Sequence, residues 1–253
     1  MGHERVGVLP RTKRWSRIAE EISAFCAEKT GVEKLVRSTL RNVDSRFRRI
    51  HRDAGVKAAF EFLVALARGR GRPLQNTELV LSHNPTLIEL AGALKHWVLV
   101  HRESAEYSGI AERAALDAVT SWISRYDQPA LLGRLTSEEI WSHASTGAGF
   151  CEFARIFFAR FTERYLNYFL DRVASAEVDS VSTREQLQQS LGSHVNDISL
   201  HAFETSKITQ SFAAGWFNKL ARQEALTQSQ IQSFLGVAFG KIREELLLEA
   251  RDE

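Results

Sequence analysis

Apolar residues recur along the chain at three- and four-residue intervals, and no stretch alternates strictly, so helices are predicted almost throughout. The expected fold is all-α, a multi-helix bundle of about nine or ten helices with room for two subdomains. The one strand candidate is the short run LVLSH, Leu79 to His83. The spacing predicts helices over residues 15–29, 32 to about 53, 56–68, 85 to about 109, 111–125, 148–174 and 194–222, with a last one after Thr227.

Helix punctuation agrees with this spacing. Gly31 is expected to take a left-handed cap, and Gly55 to separate the second and third helices. Asn84-Pro85 reads as an N-cap followed by proline at the first helical position. Thr136 to Glu139, Ser182 to Glu185 and Thr227 to Gln230 are capping boxes that open later helices. The segment GRGRPLQN, Gly69 to Asn76, is the clearest linker. It divides the chain into a basic N-terminal helical region, 1–68, a linker, 69–83, and a helical bundle, 84–253.

Within the bundle, Phe150, Phe153, Phe157, Phe161, Tyr165 and Tyr168 line one side of a long helix, as a core-facing aromatic seam would. FAAGWFNKLA, Phe212 to Ala221, reads as another core crossing. Gly236 and Gly240 are expected to permit close helix contact.

Charge changes this picture more than composition does. Residues 1–73 carry 17 Lys/Arg against 8 Asp/Glu, net +9, and the remainder carries 16 against 23, net −7. Such polarity suits a polyanionic or acidic partner, or attraction between the two parts. Cys26 and Cys151 sit in apolar-periodic runs, expected as small buried side chains, and provide neither a disulfide framework nor zinc spacing. With no signal-peptide core and no membrane-length apolar run, a cytoplasmic protein without membrane contact is expected.

On the second helix the charges segregate. Val32, Leu35, Val36, Leu40, Val43, Phe47 and Ile50 share one side, and Lys34, Arg37, Arg41, Arg48 and Arg52 share the opposite side. Solvated faces usually mix signs, so a single-sign stripe points to an anionic partner. From Lys34 to Arg52 it spans roughly 27 Å of helix, enough for several phosphates of DNA or RNA. Arg11, Lys13, Arg14 and Arg17 extend the same surface, as do Arg68, Arg70 and Arg72. No aromatic residues interleave with the stripe, which disfavours single-strand base readout.

Arg46 and His51, separated by four residues, resemble the RxxxxH pattern of the HEPN-type ribonucleases, which are also all-helical. The resemblance implies an arginine and a histidine that converge, often across a dimer, to assist metal-independent cleavage by the RNA 2′-hydroxyl. It covers these two residues, and Phe47 stands where that family usually places a polar residue. On a straight helix the two side chains would lie about 140° apart, so they meet only if the helix ends between them. Arg46 itself falls at the apolar edge of its helix, where it must snorkel outward or pair with a carboxylate.

His194, Asp197, His201 and Glu204 share one helix face and form a metal-ligand candidate, set against a plain polar boundary. Signatures of P-loop, dinucleotide-binding, zinc-protease and hydrolase enzymes are absent. The resulting expectation is a non-catalytic subunit without cofactor, holding nucleic acid by its backbone inside a larger protein assembly. The alternatives are the ribonuclease and a helical adaptor that docks onto an acidic protein.

Overall fold

The computed structural model describes residues 12–69, 85–101, 106–126, 136–178, 180–204, 207–220 and 227–248. Among these residues there are ten α-helices and one 3-10 turn, and no strand. The helices are α1 (Lys13–Cys26), α2 (Val32–Phe47), α3 (Ala54–Arg68), α4 (Leu87–His101), α5 (Ser108–Tyr126), α6 (Ser137–Ala144), α7 (Gly147–Glu177), α8 (Val181–Glu204), α9 (Lys207–Leu220) and α10 (Gln228–Leu248), and the turn is Ile50–Arg52. The all-α bundle is therefore present. LVLSH, Asn84 and nearly all of the 69–83 linker lie outside the described residues.

Two helices are apolar on more than one side, and these form the centre. In α3 the run from Ala58 to Ala67 is buried apart from Glu61, and a helix without a polar face must be covered all round. The longer α7, about 46 Å at 1.5 Å per residue, contacts α1, α2, α3, α5, α6, α8 and α9. Aromatic rings join the two: Phe60 of α3 meets Phe157 at 5.5 Å and Phe158 at 5.4 Å between centroids. Phe150 stacks on Phe217 of α9 at 4.2 Å. Phe234 and Phe239 of α10 complete the cluster. A single contiguous core runs from Ile18 to Leu246, so the 1–68 region and the 84–253 region share it.

The aromatic seam of α7 is buried as expected from Phe150 to Tyr165, but Tyr168 is 46% exposed. Phe158 and Phe169 are buried in addition, because α7 is covered on several sides and not on one stripe. Cys151 is buried, whereas Cys26 is exposed at the end of α1.

Several helix ends differ from expectation, each for a local reason. α8 starts at Val181, with Ser180 Oγ accepting from the Thr183 amide, and continues through Gly192 to Glu204. The predicted 194–222 helix is thus divided between α8 and α9. α4 is capped by Thr86, whose amide donates to Glu89 at 2.7 Å while its hydroxyl accepts from the Glu89 amide. The boxes at Thr136 and Thr227 form as predicted.

The second helix ends at Phe47 and not near residue 53. Phe47 and Ile50 are both buried, and the chain bends between them so that each reaches the core. Asp53 fixes the corner: one carboxylate oxygen caps α3 at the Val56 amide, and the other accepts from the Glu106 and Tyr107 amides before α5. Gly55 therefore lies inside the first turn of α3 and does not separate the two helices.

Candidate nucleic-acid interface

α1 and α2 form a hairpin whose turn has an identifiable cause. The Lys29 amide donates to the Ala24 carbonyl and the Glu28 amide to the Phe25 carbonyl, both at 2.9 Å, which is a Schellman cap. The left-handed residue is Glu28, at φ 55°, and not Gly31, which instead precedes α2 in an extended conformation. Ile18 and Ile22 of α1, with Val32, Leu35, Val36, Leu40, Val43 and Phe47 of α2, are buried as their spacing predicted.

The outward side of this hairpin is concave and basic. A hollow of about 630 Å³ is lined by Arg17, Lys29, Lys34, Arg37 and Arg41, with Glu33 its only carboxylate among the described residues. A second hollow of about 300 Å³ adjoins it, lined by Arg14, Arg17, Ser38, Arg41 and Asn42. Lys34 and Arg41 are exposed, and neither has an ion pair among the described residues. Arg37 is half-buried, and its Nε is enclosed without a hydrogen-bond partner among those residues.

A buried carboxylate underlies the two hollows. Glu21 accepts from Arg17 Nε at 3.1 Å and from Ser38 Oγ at 2.9 Å, both through Oε1. This holds the base of the Arg17 side chain and leaves its terminal nitrogens uncommitted among the described residues. Arg17 is 68% exposed beyond that anchor. The arrangement presents fork-shaped donors from two helices toward one space, a geometry suited to phosphate oxygens.

The bend after Phe47 divides the five-residue stripe. Lys34, Arg37 and Arg41 line the larger hollow with Arg17 of α1 and Lys29 of the turn, and Arg14 meets Arg17 and Arg41 at the smaller one. Arg48 and Arg52 lie beyond the helix and do not line the hollow. Arg48 pairs with Asp44 at 2.8 Å, and Asp44 also accepts from Arg243 of α10. Burial alone would push the Asp44 carboxyl up, but Arg243 and Arg48 together hold it below the usual carboxylate range. Arg11, Arg70 and Arg72 lie outside the described residues.

The helix does end between Arg46 and His51, yet the two side chains meet different neighbours. Arg46 is 56% exposed and lies 4.0 Å from Glu106. It also faces Tyr107 and Tyr165, whose rings meet edge-on at 5.4 Å. Burial, then Glu106, pushes the Tyr107 phenol up to about 12, and burial also raises Tyr165, so both remain neutral. His51 packs against Gly236 of α10, where an added Cβ would lie 3.6 Å from its ring. Burial and then Arg52 hold the His51 pKa below its ordinary value, so the imidazole is neutral at pH 7.

Along α8, His201 lies 3.8 Å from Glu245 of α10, and Asp197 is exposed. Among the described residues no three His, Cys, Asp or Glu side chains are grouped to hold a metal, and the side chain of Glu204 is not among them. No helix among the described residues is long and apolar enough to cross a membrane.

The fold and this surface define an all-α bundle carrying a basic, concave helical hairpin. The chain matches no protein-family model, and no significant similarity to a curated protein or to a solved structure was found.

Proposed function

We propose that this chain is a non-catalytic nucleic-acid-holding protein whose α1–α2 hairpin grips the phosphate backbone through Arg14, Arg17, Lys29, Lys34, Arg37 and Arg41. The observation that carries the reading is the basic hollow between the two helices, where five cations from both helices and their turn face one space, against Glu33 at its lining and the buried Glu21 that anchors Arg17. Mutual repulsion among them is offset when phosphates replace their counterions. Backbone contacts of this type position the ligand without reading its sequence. Arg48 and Arg52 are peripheral in this reading. The protein would act as one subunit of a larger cytoplasmic assembly, and the exposed apolar residues Ile88, Leu99 and Val100 of α4 support a protein-contacting role.

Titrating labelled DNA and RNA oligonucleotides at several salt concentrations tests the proposal. Binding should weaken with salt, and Arg41→Glu and Lys34→Glu should each lower the affinity and the log–log salt slope, by roughly one unit for each phosphate that is no longer neutralised. Affinity unchanged by both reversals, or no binding at low salt, removes the proposal. Capture of an acidic protein by the same face in nuclease-treated lysate, abolished by Arg41→Glu, would favour the adaptor.

A further inference from the structure

A third concavity adjoins the basic hollows at Asn42, which lines both it and the smaller hollow. It encloses about 250 Å³ among Trp15, Asn42, Val43, Ser45, Arg46, Phe169 and Arg172. Trp15 of α1 and Phe169 of α7 stack at 6.1 Å with 24° between their planes, so the pocket has an aromatic wall. Phe169 is buried and Trp15 is half-buried, which leaves part of the indole open to the pocket. Arg46 and Arg172 stand at the same pocket and come from α2 and α7.

We propose that this pocket accepts one unpaired base of a single-stranded nucleic acid whose backbone runs along the α1–α2 hollow. The inference rests on the phosphate-binding reading of that hollow and adds the class of strand it selects. A base has an apolar face and polar edges, and this pocket offers both counterparts. The half-buried indole presents a stacking surface, and the Arg46 and Arg172 side chains line the same pocket as cations. The Ser45 hydroxyl and the Asn42 carboxamide oxygen present hydrogen-bonding groups, the Asn42 amide nitrogen being engaged with the Arg14 carbonyl at 3.3 Å. The volume is at the small end for ligand sites and suits one ring system. From Lys34 to Arg46 the path along α2 is roughly 18 Å, so a short strand spans hollow and pocket together. A duplex keeps its bases stacked and paired, and must extrude one to reach Trp15.

The test compares a single strand of roughly 12 nucleotides, within the usual range for such sites, with a blunt duplex of equal length, in DNA and in RNA at one salt concentration. The intact chain should bind the single strand about tenfold more tightly, the scale of one base–aromatic stack. Trp15→Leu should remove that preference while leaving duplex affinity and its salt slope unchanged, and exposed Arg46→Ala should reduce it. A strand carrying 2-aminopurine should also lose emission on binding the unmodified protein, which keeps the test decisive if Trp15→Leu fails to fold. Salt-dependent binding with equal affinity for both forms, or unchanged 2-aminopurine emission, overturns the pocket and leaves the phosphate hollow standing. Absence of binding to either form overturns both.

Discussion

Arg243 of α10 donates through Nε to the Asp44 carboxylate of α2, reversing the polarity expected of an acidic C-terminal region resting on a basic helix. The helix from the acidic part brings the cation and the helix from the basic part brings the anion. The pair lies beside Arg48, so it leaves Lys34 and Arg41 uncovered. Removing Arg243 takes the partner from one oxygen of a half-buried carboxylate and leaves Arg48 on the other. Arg243→Ala should therefore lower stability by about 2 kcal/mol in urea unfolding, in line with hydrogen bonds to charged groups.

The same pair sets part of the acid sensitivity. Asp44 has a folded pKa below its ordinary value, so its contribution is present above the ordinary carboxylate range and is lost as pH falls through the folded value. Asp44→Asn should flatten the acid limb of stability plotted against pH. An unchanged acid limb would show that Asp44 is not ionised against Arg243 in the folded state.

Glu28 occupies a left-handed position that glycine fills without a Cβ penalty. Glu28→Gly should raise stability by about 0.5 to 1 kcal/mol, read as an increase in melting temperature. A decrease would mean that the Glu28 side chain supplies something the Schellman geometry does not explain.

Gly149 and Gly240 should respond in opposite ways to alanine. A Cβ on Gly149 would fall 1.9 Å from the His143 carbonyl oxygen, at the close approach of α6 to the start of α7. Gly149→Ala should cost about 2 kcal/mol or more by overpacking against backbone. A Cβ on Gly240 meets nothing within 4 Å, and one on Gly236 makes only ordinary contact with His51. These two are not the close-contact glycines their spacing suggested. Gly240→Ala should therefore stabilise α10 by up to about 1 kcal/mol through helix propensity.

The two cysteines should separate chemically. Burial, with Glu152 beside it, pushes the Cys151 thiol up to about 11, whereas Cys26 is exposed. Iodoacetamide at neutral pH should label Cys26 in the folded protein, and Cys151 only after denaturation, as peptide mass spectrometry would read it. Equal labelling of both thiols would contradict the packing of α7 around Cys151.

Periodicity was enough to read the all-α class, the buried face of α2 and the basic charge of the N-terminal region, because each depends on residues close together in the chain. The bend after Phe47 was not legible from a helical wheel. Phe47 and Ile50 are compatible with one continuous face, and the break arises from where α3, α10 and Asp53 hold the corner. Trp15 and Phe169 were equally invisible as a pair, being brought together only when α1 docks on α7. Neither residue lies on the α2 stripe, so the spacing of aromatics along that helix carries no sign of them. Lys29 continues the α1 spacing in the sequence, and only the left-handed turn at Glu28 directs it to the hollow.

The thin attachment of α1 has a consequence for its opening. Ile18 and Ile22 are its only fully buried apolar residues, supplemented by the half-buried Trp15, Ala19 and Phe25. A segment anchored by so little area exchanges its amide hydrogens through local opening well below the global unfolding free energy. Amides of α1 should lose protection before those of α3 and α7 in hydrogen-exchange measurements. Each opening dismantles the Trp15–Phe169 wall, while Lys34, Arg37 and Arg41 remain in place on α2. A bound ligand touching both parts would slow α1 exchange specifically.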